Sequence, residues 1–404
     1  MQKILLYIFA FSTLLFLSNC KMTKTIKVNK FYEKYATKTQ TGYFREQIPF
    51  KLQGHTIIVP VKIENQIYDF LLDTGSSCVI SPELANKFKL QGLVNNDVKD
   101  ANGTAKKMAY TTIPKMTIGG IDFFSNLAVV TNVGNIGCRK IYGFIGANLM
   151  QSAIWQIDYQ NQKLLITNYR DSLDLGTVKN IDFQLFPDGQ IYFDAYFTPR
   201  QKIRTLFDTG SYGDFSIPER TRNFMMPSNA KYLKSYGLSQ SINSIRIDTS
   251  RHALAPYLRF DGGWILQNNP VTFRQSRRGA TLMGYRFLKD YVVTLDWGYQ
   301  KVSFRQVAQP KKKVENTFGF YCRYAEGKVI ISNVFENSPA SEANLHVSEQ
   351  ILMMNGKDLS HTSEEEYCNT HSVWDSENKD EVTITVKQKD GEKTLTLKKV
   401  NLDF

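Results

Sequence analysis

The stretch Leu71-Leu72-Asp73-Thr74-Gly75-Ser76-Ser77 returns later in the chain as Leu206-Phe207-Asp208-Thr209-Gly210-Ser211-Tyr212, with the two acids 135 positions apart. One Asp-Thr-Gly in 404 residues carries little information. Two of them, each closing a hydrophobic strand, read as halves of one site. The residue types suit that reading. Gly75 and Gly210 lack a Cβ and allow a tight loop with close backbone approach. The hydroxyls of Thr74 and Thr209 can bond backbone across a shared axis and lock the paired loops. Ser76 and Ser211 can hydrogen-bond the carboxylates and hold their planes.

The echo extends well beyond the tripeptides. Upstream, HTIIVPVKIENQIYDFLL (residues 55–72) and QIYFDAYFTPRQKIRTLF (190–207) both read as hairpins feeding the motif, turning at Glu-Asn and at Thr-Pro-Arg. Downstream, Phe144-Ile145-Gly146 faces Leu282-Met283-Gly284, and each glycine lies 12 residues before an aspartate, Asp158 or Asp296. Asp73 precedes Gly146 by 73 residues, and Asp208 precedes Gly284 by 76. The chain therefore holds two copies of one β-rich unit, each bringing one acid to a pseudo-twofold axis. Each copy has room for a hairpin that could fold over a cleft or be a plain surface turn. In the first copy Asn102-Gly103 and its neighbours, followed by Gly119-Gly120, offer the turns, and in the second Asp261-Gly262-Gly263 offers one.

Two carboxyl groups within hydrogen-bond reach cannot both ionise easily, so they share a proton. One then serves as base on a water while the other donates to a carbonyl oxygen, which hydrolyses an amide without metal or covalent intermediate. The doubled Asp-Thr-Gly-Ser with its hydrophobic-hydrophobic-Gly partners resembles the aspartic peptidases of the pepsin and retropepsin group, over residues 45–308. That resemblance implies a bilobal β protein with an extended peptide in the cleft between lobes. It implies Asp73 and Asp208 as the catalytic pair, with Gly146 and Gly284 supporting the loops from behind. No cofactor is expected. Tyr212 and Cys78 depart from the family pattern, which bears on cleft shape more than on fold.

After Phe304 the chain passes through a Pro- and Lys-rich linker, RQVAQPKKKVENT, and its charge reverses. Residues 314–404 hold 9 Lys/Arg against 16 Asp/Glu, so the remainder supplies more than the whole net charge of +12. KVIISNVF reads as a strand, Ser338-Pro339-Ala340 as a helix start, QILMMNG as a strand ending in an Asn-Gly turn, and EVTITVKQ and KTLTLKKV as strands. In this order they resemble a PDZ domain of bacterial proteases. Phe318-Gly319-Phe320 would then be the carboxylate-binding loop, with a peptide added to the sheet edge. The expected divisions are 1–20 signal peptide, 21–44 tether, 45–170 and 171–308 the two lobes, and 314–404 the PDZ-like module.

A 14-residue apolar run, Ile4–Leu17, follows Lys3 and ends in Leu-Ser-Asn-Cys20. It is short for a membrane span and suited to a secretory segment. The pattern resembles a bacterial lipoprotein signal, with Cys20 the lipidated residue, and implies a monomer anchored in the cell envelope of a Gram-negative-type bacterium. The scattered basic residues form no nucleic-acid motif and read as a solvated surface near a membrane. Cys78 with Cys138 and Cys322 with Cys368 would keep bridges within modules, while buried free thiols are the other reading. The five His form no H-E-x-x-H pattern, and no metal site is expected. No serine-nucleophile elbow, Walker loop or dinucleotide fingerprint occurs. The expected activity is aspartic endopeptidase. Its rivals are an inactive peptide-binding envelope lipoprotein and an adhesion protein using the β lobes as scaffold.

Overall fold

The computed structural model describes residues 30–99, 104–136, 139–241, 244–275, 279–308, 315–369 and 379–403. The signal-like segment with Cys20, the Asn102-Gly103 turn and Cys138 lie outside them. The fold is mainly β, as expected from the wealth of β-branched and aromatic residues.

Strand Thr56–Ile63 alternates Val59, Val61 and Ile63 inward with Pro60 and Lys62 outward. A turn at Glu64-Asn65, with Glu64 in the left-handed region (φ +53°), leads into β1 (Gln66–Asp73). Asp73 is the last residue of that strand. Next come β2 (Val79–Ile80), a long hairpin of Gly92–Lys99 with Ala105–Ile118, and a Gly119-Gly120 turn into Ile121–Val130. Strand β3 (Gly143–Gly146) then inserts between the earlier two, parallel to β1 and antiparallel to β2. The register sets Gly146 directly beside Asp73.

The second half repeats this path. Tyr192–Tyr196 pairs with β4 (Lys202–Phe207), which ends one residue before Asp208. After β5 (Phe215–Pro218) comes a long hairpin, β6 (Leu233–Ser241) with β7 (Ser244–Ala255), and then strand Asn269–Arg274. Strand β8 (Thr281–Met283) inserts between β4 and β5 with the same parallel and antiparallel senses as β3. As expected, Asp261-Gly262-Gly263 turns a hairpin, which joins the short strands Leu258–Phe260 and Ile265–Leu266 and is separate from the long one. Gly262 and Gly263, at φ +86° and +80°, make a tight turn, whereas the length of the β6–β7 hairpin comes from the alternating runs of its arms.

A six-stranded sheet joins the halves, in the order Lys179–Asp182, Lys301–Gln306, Tyr291–Asp296, Ile154–Asp158, Lys163–Thr167 and Arg45–Pro49. The repeat-related strands meet at its centre, where Trp155 opposes Leu295 and Ile157 opposes Val293. All four side chains are buried. Each such burial contributes about 1.5–3 kcal/mol, so one apolar core runs through both halves.

The C-terminal residues form a separate core containing Phe318, Phe320, Ile331, Ile351, Ile384 and Val386. Strand β9 (Lys328–Phe335) follows Phe320–Ala325, and Ser338 caps the helix Pro339–Glu342 by a capping box. Gln350–Met354 turns at Asn355-Gly356, both at positive φ, and the strands Glu381–Gln388 and Gly391–Lys398 complete the sheet. No helix among the described residues is long and apolar enough to cross a membrane.

Candidate active site

The two Asp-Thr-Gly loops meet at the axis between the halves. The Thr74 N–H donates to Thr209 Oγ1 at 3.1 Å, and the Thr209 N–H donates to Thr74 Oγ1 at 3.0 Å. Each hydroxyl in turn donates across the axis to a carbonyl, Thr74 to Phe207 and Thr209 to Leu72, both at 2.9 Å. Both threonines are fully buried. The grip is reciprocal, as the duplicated sequence implied. An unpaired buried hydroxyl or amide costs about 1–3 kcal/mol, which ties each loop to the position of the other.

This grip brings the acids together. A Cβ placed on Gly75 would lie 2.6 Å from Asp208 Cγ, and one on Gly210 would lie 2.9 Å from Asp73 Cγ. The carboxyl groups hydrogen-bond each other. Backbone amides fix their planes: Gly75 N–H donates to Asp73 Oδ1 and Gly210 N–H to Asp208 Oδ1, each at 2.9 Å. Each serine N–H donates to the carbonyl of its aspartate, Ser76 at 3.4 Å and Ser211 at 3.2 Å, and the Ser76 side chain also acts on the Asp73 carboxyl. The Gly210 amide orients Asp208.

Burial pushes both carboxyls above the ordinary carboxylate range. For Asp73 the amide of Gly75, Ser76 and the Asp208 hydrogen bond pull the other way. For Asp208 the charge of Asp73 adds to burial, while Gly210 and Arg274 oppose it. A pair so placed keeps one proton at a pH where an isolated carboxyl has lost it, and can act as acid and base on one water.

The support behind the loops is tight. At Gly146 a Cβ would stand 2.2 Å from the Cys78 amide nitrogen, and at Gly284 one would stand 2.5 Å from the Ser211 carbonyl oxygen. The following amides, Ala147 and Tyr285, donate to the Ser76 and Ser211 carbonyls, both at 2.8 Å. Cys78 packs here as a buried thiol, pushed up to about 12 by burial, and its sulfur accepts the Gly146 N–H at 3.2 Å. That overturns both disulfides considered from sequence. Cys78 and Cys322 are free thiols, whereas Cys368 is disulfide-bonded. The Cys78 sulfur faces the loop support and Cys322 packs against the C-terminal core, so neither is turned toward a bridge.

Several site residues were not singled out by sequence. His55 and Gln190 each lie 18 positions before the acid of their copy. Each reaches across the axis: Gln190 Nε2 donates to the Gly75 carbonyl at 2.7 Å, and the His55 ring lies 5.2 Å from that of Tyr212. Their common offset was the available signal. The helix at residues 30–34 also lies against the first loop. Its Tyr32 hydroxyl bonds Ser77 Oγ at 3.0 Å, and Phe31 and Tyr35 pack with Met108, Tyr110 and Val129. Phe31, Tyr32 and Tyr35, at i, i+1 and i+4, were the available signal, in a segment expected only as part of the 21–44 tether. Among the described residues no group of three His, Cys, Asp or Glu is placed to hold a metal.

In the C-terminal module Phe318 and Phe320 bury their side chains in its core, so the loop can offer a ligand only backbone groups. Gly319 takes φ +91°, and a Cβ there would stand 2.1 Å from Ser338 Oγ.

Comparison with known families agrees with both readings. No curated protein matches the chain. Residues 59–149, containing the first Asp-Thr-Gly loop and Gly146, match the family model described as aspartyl protease, and residues 311–398 match that of the PDZ domain. The chain thus carries an aspartyl-protease domain and, C-terminal to it, a PDZ domain.

Proposed function

We propose that the protein is an aspartic endopeptidase in which Asp73 and Asp208 share one proton and activate a water against the peptide carbonyl. One acid takes the water's proton while the other donates to the carbonyl oxygen, and the tetrahedral product then collapses with protonation of the leaving amine. The observation that carries this reading is the reciprocal Thr74–Thr209 grip, which sets each carboxyl against the glycine of the opposite loop. A scaffold has no use for two adjacent acids, both raised by burial. The substrate is an extended peptide or protein segment lying between the halves.

The PDZ domain would bind a peptide C-terminus through the backbone of Phe318, Gly319 and Phe320. Lipidation at Cys20 would hold a monomer in the cell envelope; of the expected tether 21–44, Phe31, Tyr32 and Tyr35 pack on the first half and Lys38–Thr39 joins its sheet, so that part belongs to the folded body. The deciding assay is peptide cleavage by the full chain and by Asp73→Asn and Asp208→Asn separately, with and without a statine peptide. Loss of cleavage in both variants, with binding of the statine peptide to the unaltered chain, supports the dyad. Full activity in either variant removes it, and binding without cleavage at any pH would assign the chain to the inactive peptide-binding class.

A further inference from the structure

The second half and the PDZ domain share one sheet. Ser235, Tyr236 and Gly237 of β6 pair antiparallel with Phe335, Val334 and Asn333 of β9. The Glu336 N–H donates to the Lys234 carbonyl at 2.9 Å, the Tyr236 hydroxyl donates to the Glu336 carboxylate at 2.5 Å, and Lys234 pairs with that carboxylate at 3.2 Å. Leu233, Phe335 and Leu402 form a small buried cluster under the junction, and the Phe335 ring lies 5.7 Å from that of His252 in β7. Gly237 has the space such an approach needs, since a Cβ there would meet the Asn333 side chain at 3.2 Å.

The other arm of the hairpin pairs with the strand that ends at Arg274. Ser250 of β7 pairs with Arg274, and Arg246 bonds the Gln275 carbonyl. Arg274 is close enough to Asp208 for the two charges to interact, and it also feels Asp248 of β7. The PDZ domain touches the first half as well, where Asn135 Nδ2 donates to Glu364 Oε2 at 2.8 Å.

We propose that the PDZ domain is a positioning part of the second half: by adding β9 to the edge of β6 it braces the β6–β7 hairpin and, through it, the strand ending at Arg274, and so sets the affinity for an extended substrate. The base of the hairpin already pairs with Asn269–Arg274 through Ser250–Ala255, and β9 adds a strand on the opposite edge at Ser235–Gly237, so that both arms are held. Tyr236, Gly237 and Glu336 are positioning residues here, acting through the hairpin. The role in substrate affinity rests on the peptidase reading above, whereas the strand coupling does not.

Two variants of the full chain test it. Backbone groups alternate sides along a strand, so the Lys234 carbonyl facing Glu336 puts the Tyr236 N–H on the same edge. Tyr236→Pro therefore removes a donor toward β9 and leaves the β7 edge alone. The milder pair Tyr236→Phe with Glu336→Gln removes only the side-chain contact. Hydrogen exchange of residues 233–255 should quicken about tenfold in the proline variant and less in the pair, with the interior strands around Trp155 unchanged. KM for an extended peptide should rise about three- to tenfold with kcat within about twofold.

Unchanged exchange at 233–255 in both variants would overturn the coupling. Faster exchange with unaltered KM would overturn the role in affinity. If Tyr236→Pro fails to fold, the milder pair decides alone. If the unaltered chain cleaves nothing, the peptidase reading fails, and exchange still decides whether β9 holds the hairpin.

Discussion

At the scale of single residues, the proposed peptide hydrolysis would depend on two carboxyl groups and the amides that aim them. Asp73→Asn and Asp208→Asn should each lower kcat by about 10²–10⁴-fold or more, the range for removing a positioned acid or base, while circular dichroism stays that of the parent. The same residues predict a pH effect on stability. Asp208 is raised to about 8 in the folded chain, while an unfolded aspartate titrates near ~4. Between those values the folded state holds a proton that the unfolded state has lost, so stability falls as pH rises through the window. That proton belongs to the pair. Urea midpoints at pH ~5 and pH ~8 should therefore differ less in Asp208→Asn than in the parent. An equal or larger difference in the variant would contradict the burial of a shared proton.

At the scale of elements, each loop is held by its neighbours rather than by its own sequence. Replacing Thr209 by Val keeps the volume but strands the Thr74 N–H, which donates to its hydroxyl, and the Leu72 carbonyl, which accepts from it. A loss of about 1–3 kcal/mol is expected, with impaired activity although no carboxyl has changed. Gly146→Ala should cost at least as much as ordinary overpacking, about 1–3 kcal/mol, because its Cβ would fall 2.2 Å from the Cys78 backbone. Differential scanning calorimetry separates these from Gly120→Ala. Gly120 lies at φ +92° with nothing within 4 Å of a Cβ, so only backbone strain opposes that change.

At the scale of the whole molecule, the halves are not independent. The central pairs Trp155 with Leu295 and Ile157 with Val293 come one from each half, and Arg170 clamps the buried Asp296 across the same boundary. Residues 45–170 and 171–308 expressed separately should expose these surfaces and associate or aggregate. When co-expressed they should recover inhibitor binding, which size-exclusion chromatography with a labelled statine peptide would report. Stable, monomeric separate halves would show the shared sheet to be dispensable.

Much of this was legible along the chain. The repeat, the hydrophobic runs ending in Asp-Thr-Gly, the matched glycines at 146 and 284, and the Ser338 cap with its strands are local signals, set by side-chain alternation, backbone freedom and spacing. They sufficed for a mainly β fold, for two copies of one unit, and for the acids as a pair. Only the tertiary structure decided what depends on residues far apart. It gave the orientation of Asp208 to the Gly210 amide, and it sent Gln190 and His55 across the axis. It left Cys78 a thiol behind the loop and laid β9 of the PDZ domain along the β6–β7 hairpin. Those contacts join separate stretches of chain through backbone hydrogen bonds and close packing, whose partners no local pattern specifies.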